Sequence, residues 1–307
     1  MIKIIQHRYW YFGLSLLIIV PGLIGLAVWG LPLAIDFTGG TLLDVQFPTA
    51  AEPVDPAVVR QVYGASAVAE VQVETAGTDR IIARSRDLTQ VEQQAILAGL
   101  AEHYGPATVQ SAETVGPSIG REVGVRAAGA VGLAAVGILL YVWFAFRKLP
   151  HAVRYGVAAI IALLHDVLVV VGLSALAGKV LGWQVDSLFL TALLTVVGFS
   201  VHDTIVVFDR VRENLGLYRR LDYEVVVNHS VVQTLDRSIN TQLTVMFTLL
   251  SLVLFGGDTL RHFVVTLLVG IASGTYSSIF NAAALLVVWE KREWRTWFRR
   301  RPAPAAA

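Results

Sequence analysis

Six long runs of apolar residues, separated by short polar connections and one large polar insertion, set the pattern of the chain. Each run has about twenty residues, the length at which an α-helix crosses the hydrocarbon core of a bilayer. The runs cover residues 11–31, 125–146, 155–177, 187–208, 237–255 and 263–289. This pattern predicts a polytopic α-helical membrane protein with six transmembrane helices. The composition, 55% hydrophobic and 15% charged, supports the same class.

The insertion between the first and second runs has the pattern of a folded α+β domain. Alternating residues predict strands at 41–47, 68–74, 80–85 and 108–115, and helical periodicity predicts helices at 55–63 and 88–104. The order βαββαβ is that of a ferredoxin-like domain. We therefore divide the chain into residues 1–31 with the first span, a head domain with its linkers at 32–124, spans two to six at 125–289, and a basic tail at 290–307.

Positive charges predict the orientation of the spans. Lysines and arginines lie before the first span, between the second and third, between the fourth and fifth, and after the sixth. Because connections rich in Lys and Arg stay in the cytoplasm, both termini are expected there and the head domain outside. The head domain carries twelve acidic residues against five arginines. A segment of this length crosses the membrane largely regardless of its charge.

Two spans carry a histidine and an aspartate side by side. His165 and Asp166 lie near the middle of the third span, and His202 and Asp203 lie in the fourth. A carboxylate in hydrocarbon costs about 2.5–3.5 kcal/mol on insertion scales, and such residues usually have a function. Neighbouring residues of a helix point about 100° apart, so the sequence leaves open whether His202 or Asp203 faces the interior.

The fifth span brings an arginine towards the same depth. Its purely apolar part, residues 243–255, is too short to cross a bilayer, so the helix must extend back to Arg237. Asp203 is about 9 Å inside the end of its span at 1.5 Å per residue, and the antiparallel geometry predicts that it meets Arg237. A static buried ion pair is the alternative to a functional one.

Small and polar residues also recur along the last two spans. Thr234, Arg237, Thr241, Thr244, Thr248 and Ser251 form a stripe on one face of the fifth span. The stripe predicts a hydrated path, although such hydroxyls often bond only to their own backbone. Small residues every four positions at 266–282 predict close helix packing in the sixth span. Residues 222–235 are predicted to form a separate amphipathic helix on the cytoplasmic surface.

Several kinds of chemistry find no support in the sequence. The chain has no cysteine, no phosphate-binding GxxxxGK[ST] loop and no HExxH pattern. An intramembrane metallohydrolase using the two His-Asp pairs is disfavoured because adjacent helical residues diverge. We therefore expect neither an enzyme nor a cofactor, and a membrane gradient as the energy source. The remaining alternatives are a proton-coupled half-transporter of a small molecule or lipid, and a passive assembly scaffold.

Five motifs in order resemble the SecF family of protein-export membrane subunits. They are DFTGG at 36–40, VGPSIGRE at 115–122, His165-Asp166, VHDTIVVFDRVREN at 201–214 and QTLDRSINT at 233–241. The resemblance implies half of a transporter of the resistance-nodulation-division type, in a multi-pass protein of the cell membrane. The implied partners are SecD, the SecYEG channel, YidC- and YajC-type accessory proteins and the unfolded preprotein; no nucleic acid is expected, and the surroundings are membrane lipid.

The resemblance also implies a mechanism in which proton flow through the bundle moves the head domain, which pulls on the emerging preprotein. The family's intramembrane aspartate and arginine match Asp203 and Arg237, whereas the carboxylates supplied by SecD lie outside this chain. The complete prediction has three groups of residues: Asp203, Arg237, His202, Asp166 and His165 for proton coupling, Thr241, Thr244 and Thr248 for a polar path, and Gly39, Gly40, Gly116, Pro117 and Gly120 as head-domain hinges.

Overall fold

The computed structural model of the 307-residue chain describes residues 2–50, 52–68, 70–147 and 152–295. The described parts of Met1–Leu31, Val131–Lys179 and Leu188–Ala307 form a helix bundle, and those of Pro32–Ala130 and Val180–Ser187 form a head unit. In chain order the elements are α1 Arg8–Trp29, α2 Ile35–Thr38, β1 Gly40–Gln46, α3 Pro56–Ala65, β2 Val71–Thr75, β3 Arg80–Ser85, α4 Gln90–Tyr104, β4 Thr108–Val115, α5 Pro117–Phe146, α6 Ala152–Leu181, α7 Ser187–Leu217, α8 Tyr223–Phe255, α9 Asp258–Tyr276, a π-helical turn Ser277–Ala282, and α10 Ala283–Glu290.

In the described part of the chain, six helical segments are long and apolar enough to cross a membrane, which confirms the predicted number of spans. The sixth segment, Leu260–Glu290, consists of most of α9, the π-helical turn and α10. Helix α7 has 31 residues. At 1.5 Å per residue it is about 46 Å long, which exceeds a hydrocarbon core of about 30 Å. The helix therefore extends beyond the hydrocarbon.

The prediction of a separate surface helix at 222–235 was wrong. Helix α8 runs without a break for 33 residues from Tyr223, so this segment is the first part of the fifth span. Neither glycine nor proline occurs between residues 223 and 255 to interrupt the helix. The valines that suggested an amphipathic surface helix, Val226, Val227 and Val231, are buried inside the bundle instead.

The predicted small-residue ladder of the sixth span is confirmed as a packing surface. A Cβ atom added to Gly270 would lie 2.2 Å from the side chain of Val196 on α7, and one added to Gly274 would lie 3.2 Å from the Cβ of Ser200. The absence of side chains at these two glycines lets the backbones of the sixth span and α7 approach closely. Ser200 thereby lies against α9.

The head unit has the predicted ferredoxin-like fold. Its four strands form an antiparallel sheet in the order β2-β3-β1-β4, with α3 and α4 following β1 and β3. Leu43, Asp44 and Val45 of strand β1 are all buried. Leu43 and Val45 join the apolar core, whereas Asp44, on the opposite side of the strand, forms an ion pair of 2.6 Å with Arg80. The buried core of this unit is Leu43, Val45, Phe47, Val54, Val59, Val62, Tyr63, Val68, Ile81, Ala83, Leu88, Ile96 and Leu100.

The two linkers of the head unit pack directly against each other. Gly39 has a φ of +73°, and a Cβ atom there would lie 2.7 Å from the Cα of Pro117. A Cβ atom on Gly120 would lie 2.7 Å from the backbone nitrogen of Gly39. Gly40 has a φ of +131°, and Gly116 has no atom within 4 Å of its added Cβ. The contacts explain glycine at 39 and 120, whereas the hinge role of all five residues stays a prediction.

Candidate functional site

Asp203 faces the interior of the bundle and His202 faces outwards. Asp203 is 4% exposed. Its Oδ2 accepts a hydrogen bond of 2.5 Å from Nε2 of Gln242 on α8. The His202 side chain is 65% exposed, with its Nδ1 3.7 Å from Asp203 Oδ1. The carboxylate is therefore the buried member of the pair, and the imidazole is the exposed one.

Arg237 forms no direct ion pair with Asp203 in this structure, although its charge lies close enough to act on the carboxylate. Within the described ranges, no carboxylate oxygen lies within 4.0 Å of the Arg237 guanidinium, and its side chain is exposed. Gln242 takes the predicted place. Five residues of a helix correspond to a rotation of about 140°, so Arg237 and Gln242 occupy different faces of α8.

The buried polar face of α8 begins at the same residue as the predicted stripe but follows another spacing. Thr234, Ser238 and Gln242, four residues apart, are all buried. The predicted stripe went from Thr234 to Arg237 and onwards, and its members from Arg237 to Ser251 are exposed. Polar residues at every fourth position, beginning near the buried valines, are the signal that would have identified Gln242.

The hydroxyls of the predicted polar path bond to their own helix. Thr241, Thr244 and Thr248 donate to the carbonyls four residues earlier at 2.8, 2.8 and 3.0 Å. All three side chains lie on the exposed face of α8. Their hydrogen bonds thus match the backbone-bonded alternative, and a hydrated path along this face stays a prediction.

Asp166 is the centre of a second buried polar cluster. The residue is fully buried. Its Oδ2 accepts hydrogen bonds from Ser200 at 2.6 Å and Ser277 at 2.7 Å, and its Oδ1 accepts one from Ser273 at 2.7 Å. The Nδ1 of His165 lies 3.0 Å from Oδ1. This cluster joins α6 to α7 and to the sixth span.

His165 extends the cluster to the first span. Its Nε2 lies 3.0 Å from Oγ of Ser15, and Asn281 Nδ2 donates to the same hydroxyl at 2.8 Å. Tyr276 stacks on the imidazole with ring centroids 6.1 Å apart. The sequence drew attention to His165 but not to Ser15 or Asn281, because single serines and asparagines in apolar helices give no periodic signal.

The two buried carboxylates differ in how fully they are hydrogen-bonded. A carboxylate has about four lone-pair sites, and the Asp166 cluster supplies four partners. Asp203 has one hydrogen bond from Gln242. The Oε1 atom of that glutamine is buried and has no hydrogen-bond partner among the described residues. Asp166 is therefore fixed, whereas Asp203 lies in a less saturated environment.

The two His-Asp pairs do not converge on a metal site. Among the residues that the structure describes, no group of three or more His, Cys, Asp or Glu side chains is arranged to hold a metal ion. The metallohydrolase alternative therefore lacks a set of ligands in this part of the chain.

Two family models match the chain. Residues 96–292 match "Protein export membrane protein SecD/SecF, C-terminal". Residues 24–50, which include Gly39 and Gly40, match "SecD/SecF GG Motif". The chain is 50% identical to protein translocase subunit SecF of Anaerolinea thermophila and 48% identical to that of Thermobaculum terrenum, in both cases over 100% of each chain.

Longer proteins also contain a region similar to this chain. Protein translocase subunit SecDF of Thermus thermophilus is 40% identical over 86% of this chain, which corresponds to 35% of that protein. The crystal structure of SecDF from Thermus thermophilus superposes with a TM-score of 0.83 at 35% identity, covering 95% of this chain. A SecDF structure in a super-membrane-facing form gives a TM-score of 0.64 at 32% identity over 96% of this chain. The chain spans 39% of the length of each solved SecDF chain.

Proposed function

The chain belongs to the SecD/SecF family of protein export membrane proteins, and from that premise we propose that it couples proton movement through the helix bundle to movement of the head unit during export. Its SecF-type relatives are protein translocase subunits, so a role in protein export follows from the family. The coupling is a proposal about particular residues. Its main support is the hydrogen bond between Asp203 and Gln242.

Asp203 is the proposed proton acceptor. When it is ionised, its Oδ2 accepts the amide N–H of Gln242, which joins α7 to α8. When Oδ2 is protonated, that oxygen becomes a donor and a weaker acceptor, so it holds the same amide N–H less strongly. Gln242 then turns its Oε1, which has no partner among the described residues, towards the new O–H. The exchange of hydrogen bonds changes the packing between the two helices.

His202 and Arg237 are proposed to connect this acceptor to its surroundings. His202 is exposed beside Asp203 and is the group through which a proton reaches the carboxylate. Arg237 lies on the exposed face of α8 together with the proposed polar path of Thr241, Thr244 and Thr248. We propose that SecD covers this face and supplies the acidic partner of Arg237.

His165 and Asp166 are proposed to transmit the movement. Because Asp166 is hydrogen-bonded to Ser200, Ser273 and Ser277, α6, α7 and the sixth span stay together as one block while α8 repacks. The linkers at Gly39, Gly40, Gly116, Pro117 and Gly120 then carry the displacement to the head unit, which pulls the preprotein at the exit of the SecYEG channel. YidC- and YajC-type proteins are further proposed partners, and we propose that both termini lie in the cytoplasm.

The substitution Asp203→Asn tests the proposal. Asparagine keeps the size of the side chain but cannot change charge. The variant, co-expressed with SecD, should insert into the membrane normally and lose the stimulation of preprotein translocation by a proton gradient in membrane vesicles. Asp209→Asn is the matched control, because Asp209 is an exposed acid on the same helix. Full stimulation in Asp203→Asn would refute the coupling and would favour a passive scaffold.

A further inference from the structure

A cavity of about 890 Å³ lines one side of the head unit, but a second cavity, at one end of the helix bundle, has more specific chemistry. This second cavity has a volume of about 680 Å³ and is lined by residues from four helices. It lies where α6 and α8 begin and α7 and α10 end. We call it the terminal cavity. Its lining residues are Arg154, Tyr155, Arg212, Leu215, Gly216, Tyr218, Arg219, Leu221, Tyr223, Leu286 and Glu290.

We propose that the terminal cavity binds the phosphate-bearing headgroup of an anionic phospholipid. The inference rests on the membrane-spanning fold and does not depend on proton coupling. The volume of the terminal cavity falls within the range of small-molecule sites in proteins. It lies at the ends of spans, the level at which lipid headgroups meet a membrane protein, and basic cavities between spans are recognised headgroup sites.

The charge of the cavity wall is positive. Arg154 forms an ion pair with Glu290 on the same wall, so the two charges balance. The remaining positive charge of the lining comes from Arg212 and Arg219, since Glu290 is the only acidic residue among the described residues that line the cavity. Arg212 also pairs with Asp209, which lies outside the lining, so Arg219 carries the charge for which the described residues supply no acidic partner. Both of these arginines lie near the end of α7.

Both arginines retain donors for a phosphate. Arg212 uses its Nη2 for Asp209, at 2.6 Å, and Arg219 uses its Nε for the carbonyl of Gly216, at 3.2 Å. A guanidinium carries five N–H donors in a planar arrangement that suits phosphate oxygens. The first turns of α6 and α8 add the partial positive charge of two helix N-termini to the same region.

The acidic residues beside the cavity are engaged in ion pairs, Asp209 with Arg212 and Asp222 with Lys291. Arg8 and Lys291, at the same end of the bundle, are already bound by Glu224. The residues at 148–151 and 296–307, whose positions lie outside the described part, contain no Asp or Glu in the sequence. They therefore cannot neutralise the cavity arginines by charge.

The rest of the lining suits the part of a lipid below its phosphate. Leu215, Leu221 and Leu286 give the cavity an apolar side. Tyr155 and Tyr223, whose hydroxyl oxygens are 3.3 Å apart, combine an apolar ring with a polar end. Tyrosine is enriched at the boundary between headgroups and hydrocarbon for this reason. A lining with a cationic side and an apolar side matches a lipid better than a free anion.

Lipid binding to the purified full-length chain in a neutral detergent tests the inference. The chain is titrated with phosphatidylglycerol or with phosphatidylcholine, and bound lipid is counted by native mass spectrometry. Phosphatidylglycerol should bind at least roughly 10-fold more tightly, and the double substitution Arg212→Gln/Arg219→Gln should remove most of that preference. Arg210→Gln is the control, since Arg210 pairs with Glu213 on the same helix and does not line the cavity.

A second variant separates charge from fold. Arg212→Lys/Arg219→Lys retains both charges and should retain most of the preference, and all variants are compared by thermal unfolding. Equal affinity of the parent chain for the two lipids overturns the inference. If Arg210→Gln loses as much of the preference for phosphatidylglycerol as the double glutamine variant, the preference comes from diffuse surface charge and the inference is also overturned. Inorganic phosphate is added in a separate titration. If it displaces phosphatidylglycerol completely, the cavity is a site for free anions and the lipid assignment is wrong.

Discussion

Gln242 Nε2 and Asp203 Oδ2 are 2.5 Å apart, and their hydrogen bond links α8 to α7 through two buried side chains. The carboxylate has no other hydrogen-bond donor within 3.5 Å among the residues described, and His202 Nδ1 lies farther away at 3.7 Å. The position of α8 is therefore tied to the charge of one side chain. Removal of this hydrogen bond should therefore lower the free energy of unfolding by a measurable amount.

The substitution Gln242→Leu should lower the free energy of unfolding by about 1–3 kcal/mol, because it leaves a buried carboxylate without its donor. Thermal unfolding of the detergent-solubilised full chain measures the change. Thr241→Val on the exposed face of α8 is the control, and it should change the free energy of unfolding by less than about 0.5 kcal/mol. Equal stabilities of the two variants would mean that the bond contributes nothing.

Arg237→Met should behave differently from Gln242→Leu. Since the Arg237 guanidinium is exposed and has no ion pair within the described ranges, its loss should change the stability of the isolated chain by less than about 0.5 kcal/mol. The same variant should nevertheless lose proton-stimulated translocation when SecD is present, because the proposed role of Arg237 lies at that interface.

A double-mutant cycle distinguishes the two partners of Asp203. In the isolated chain, Asp203→Asn should show a coupling energy of about 0.5–3 kcal/mol with Gln242→Leu and a smaller coupling energy with Arg237→Met, because the Arg237 charge acts on Asp203 without an ion pair. Both cycles are measured by thermal unfolding under identical conditions. A larger coupling with Arg237 would restore the direct ion pair that the sequence suggested.

The sequence predicted the number of membrane helices, the order of the strands along the chain and the positions of polar residues in the spans. It did not predict which of these polar residues contact one another. Periodicity places Thr234 on two possible stripes, one through Arg237 and one through Ser238 and Gln242. The choice depends on which face of α8 packs against α7, and that is a tertiary contact. The uninterrupted α8 shows the same limit, because its buried valines resemble those of a surface helix until the neighbouring spans are known.

The Asp166 cluster was hidden for a related reason. Its partners Ser200, Ser273 and Ser277 come from two helices, and each serine alone is a common small residue in a membrane span. They become informative only when the fold brings three hydroxyls to one carboxylate. The sequence therefore identifies Asp166 but not the side chains that surround it.

Asp166→Ala should be the most destabilising single substitution of a buried acid in the bundle. It removes the common acceptor of three serine hydroxyls and His165, and a loss of about 3–5 kcal/mol is expected. Asp203→Ala, which releases one donor, should cost about 1–3 kcal/mol. Both are measured by thermal unfolding in detergent, with the exposed Asp209→Ala as control. If Asp203→Ala proves more destabilising, Asp166 is not the fixed centre of the bundle.

The stability of the head unit should depend on pH. Helix α4 begins with a capping box in which Thr89 and Glu92 exchange hydrogen bonds. A hydrogen bond from Arg86 and those from Thr89 lower the pKa of Glu92 from 4.5 to about 2. Because the folded pKa is below the unfolded value, the stabilisation is present above pH 4.5 and is lost as the pH falls towards 2.

Glu92→Gln tests this dependence. The variant should unfold at a lower temperature than the parent at neutral pH and should lose less stability between about pH 5 and about pH 2. The measurement is the midpoint of thermal unfolding of the full chain at a series of pH values. Glu102→Gln, on an exposed position of the same helix, should retain the parental profile. If Glu92→Gln left the pH dependence of the unfolding midpoint unchanged, the Glu92 carboxylate would not be its cause.

Gly270→Ala should destabilise the bundle although alanine favours a helix. The new Cβ would lie 2.2 Å from the side chain of Val196, so the sixth span and α7 must move apart, at a cost of about 1–3 kcal/mol. Gly132→Ala on α5 is the control, because no atom lies within 4 Å of its added Cβ. That variant should be neutral or gain up to about 1 kcal/mol from helix propensity.

The clash at Gly270 can be relieved from the other helix. Val196→Ala removes the two methyl groups nearest the new Cβ and leaves the Val196 Cβ at 3.0 Å, so Gly270→Ala/Val196→Ala should recover part of the stability relative to the sum of the two single changes. Thermal unfolding of the four proteins gives the coupling directly. Additive losses would mean that Gly270 and Val196 are not in contact. Recovery would show that the sixth span, which carries Ser273 and Ser277, packs directly against α7. This close packing is what allows the two serines and Ser200 of α7 to bond to the same Asp166 carboxylate.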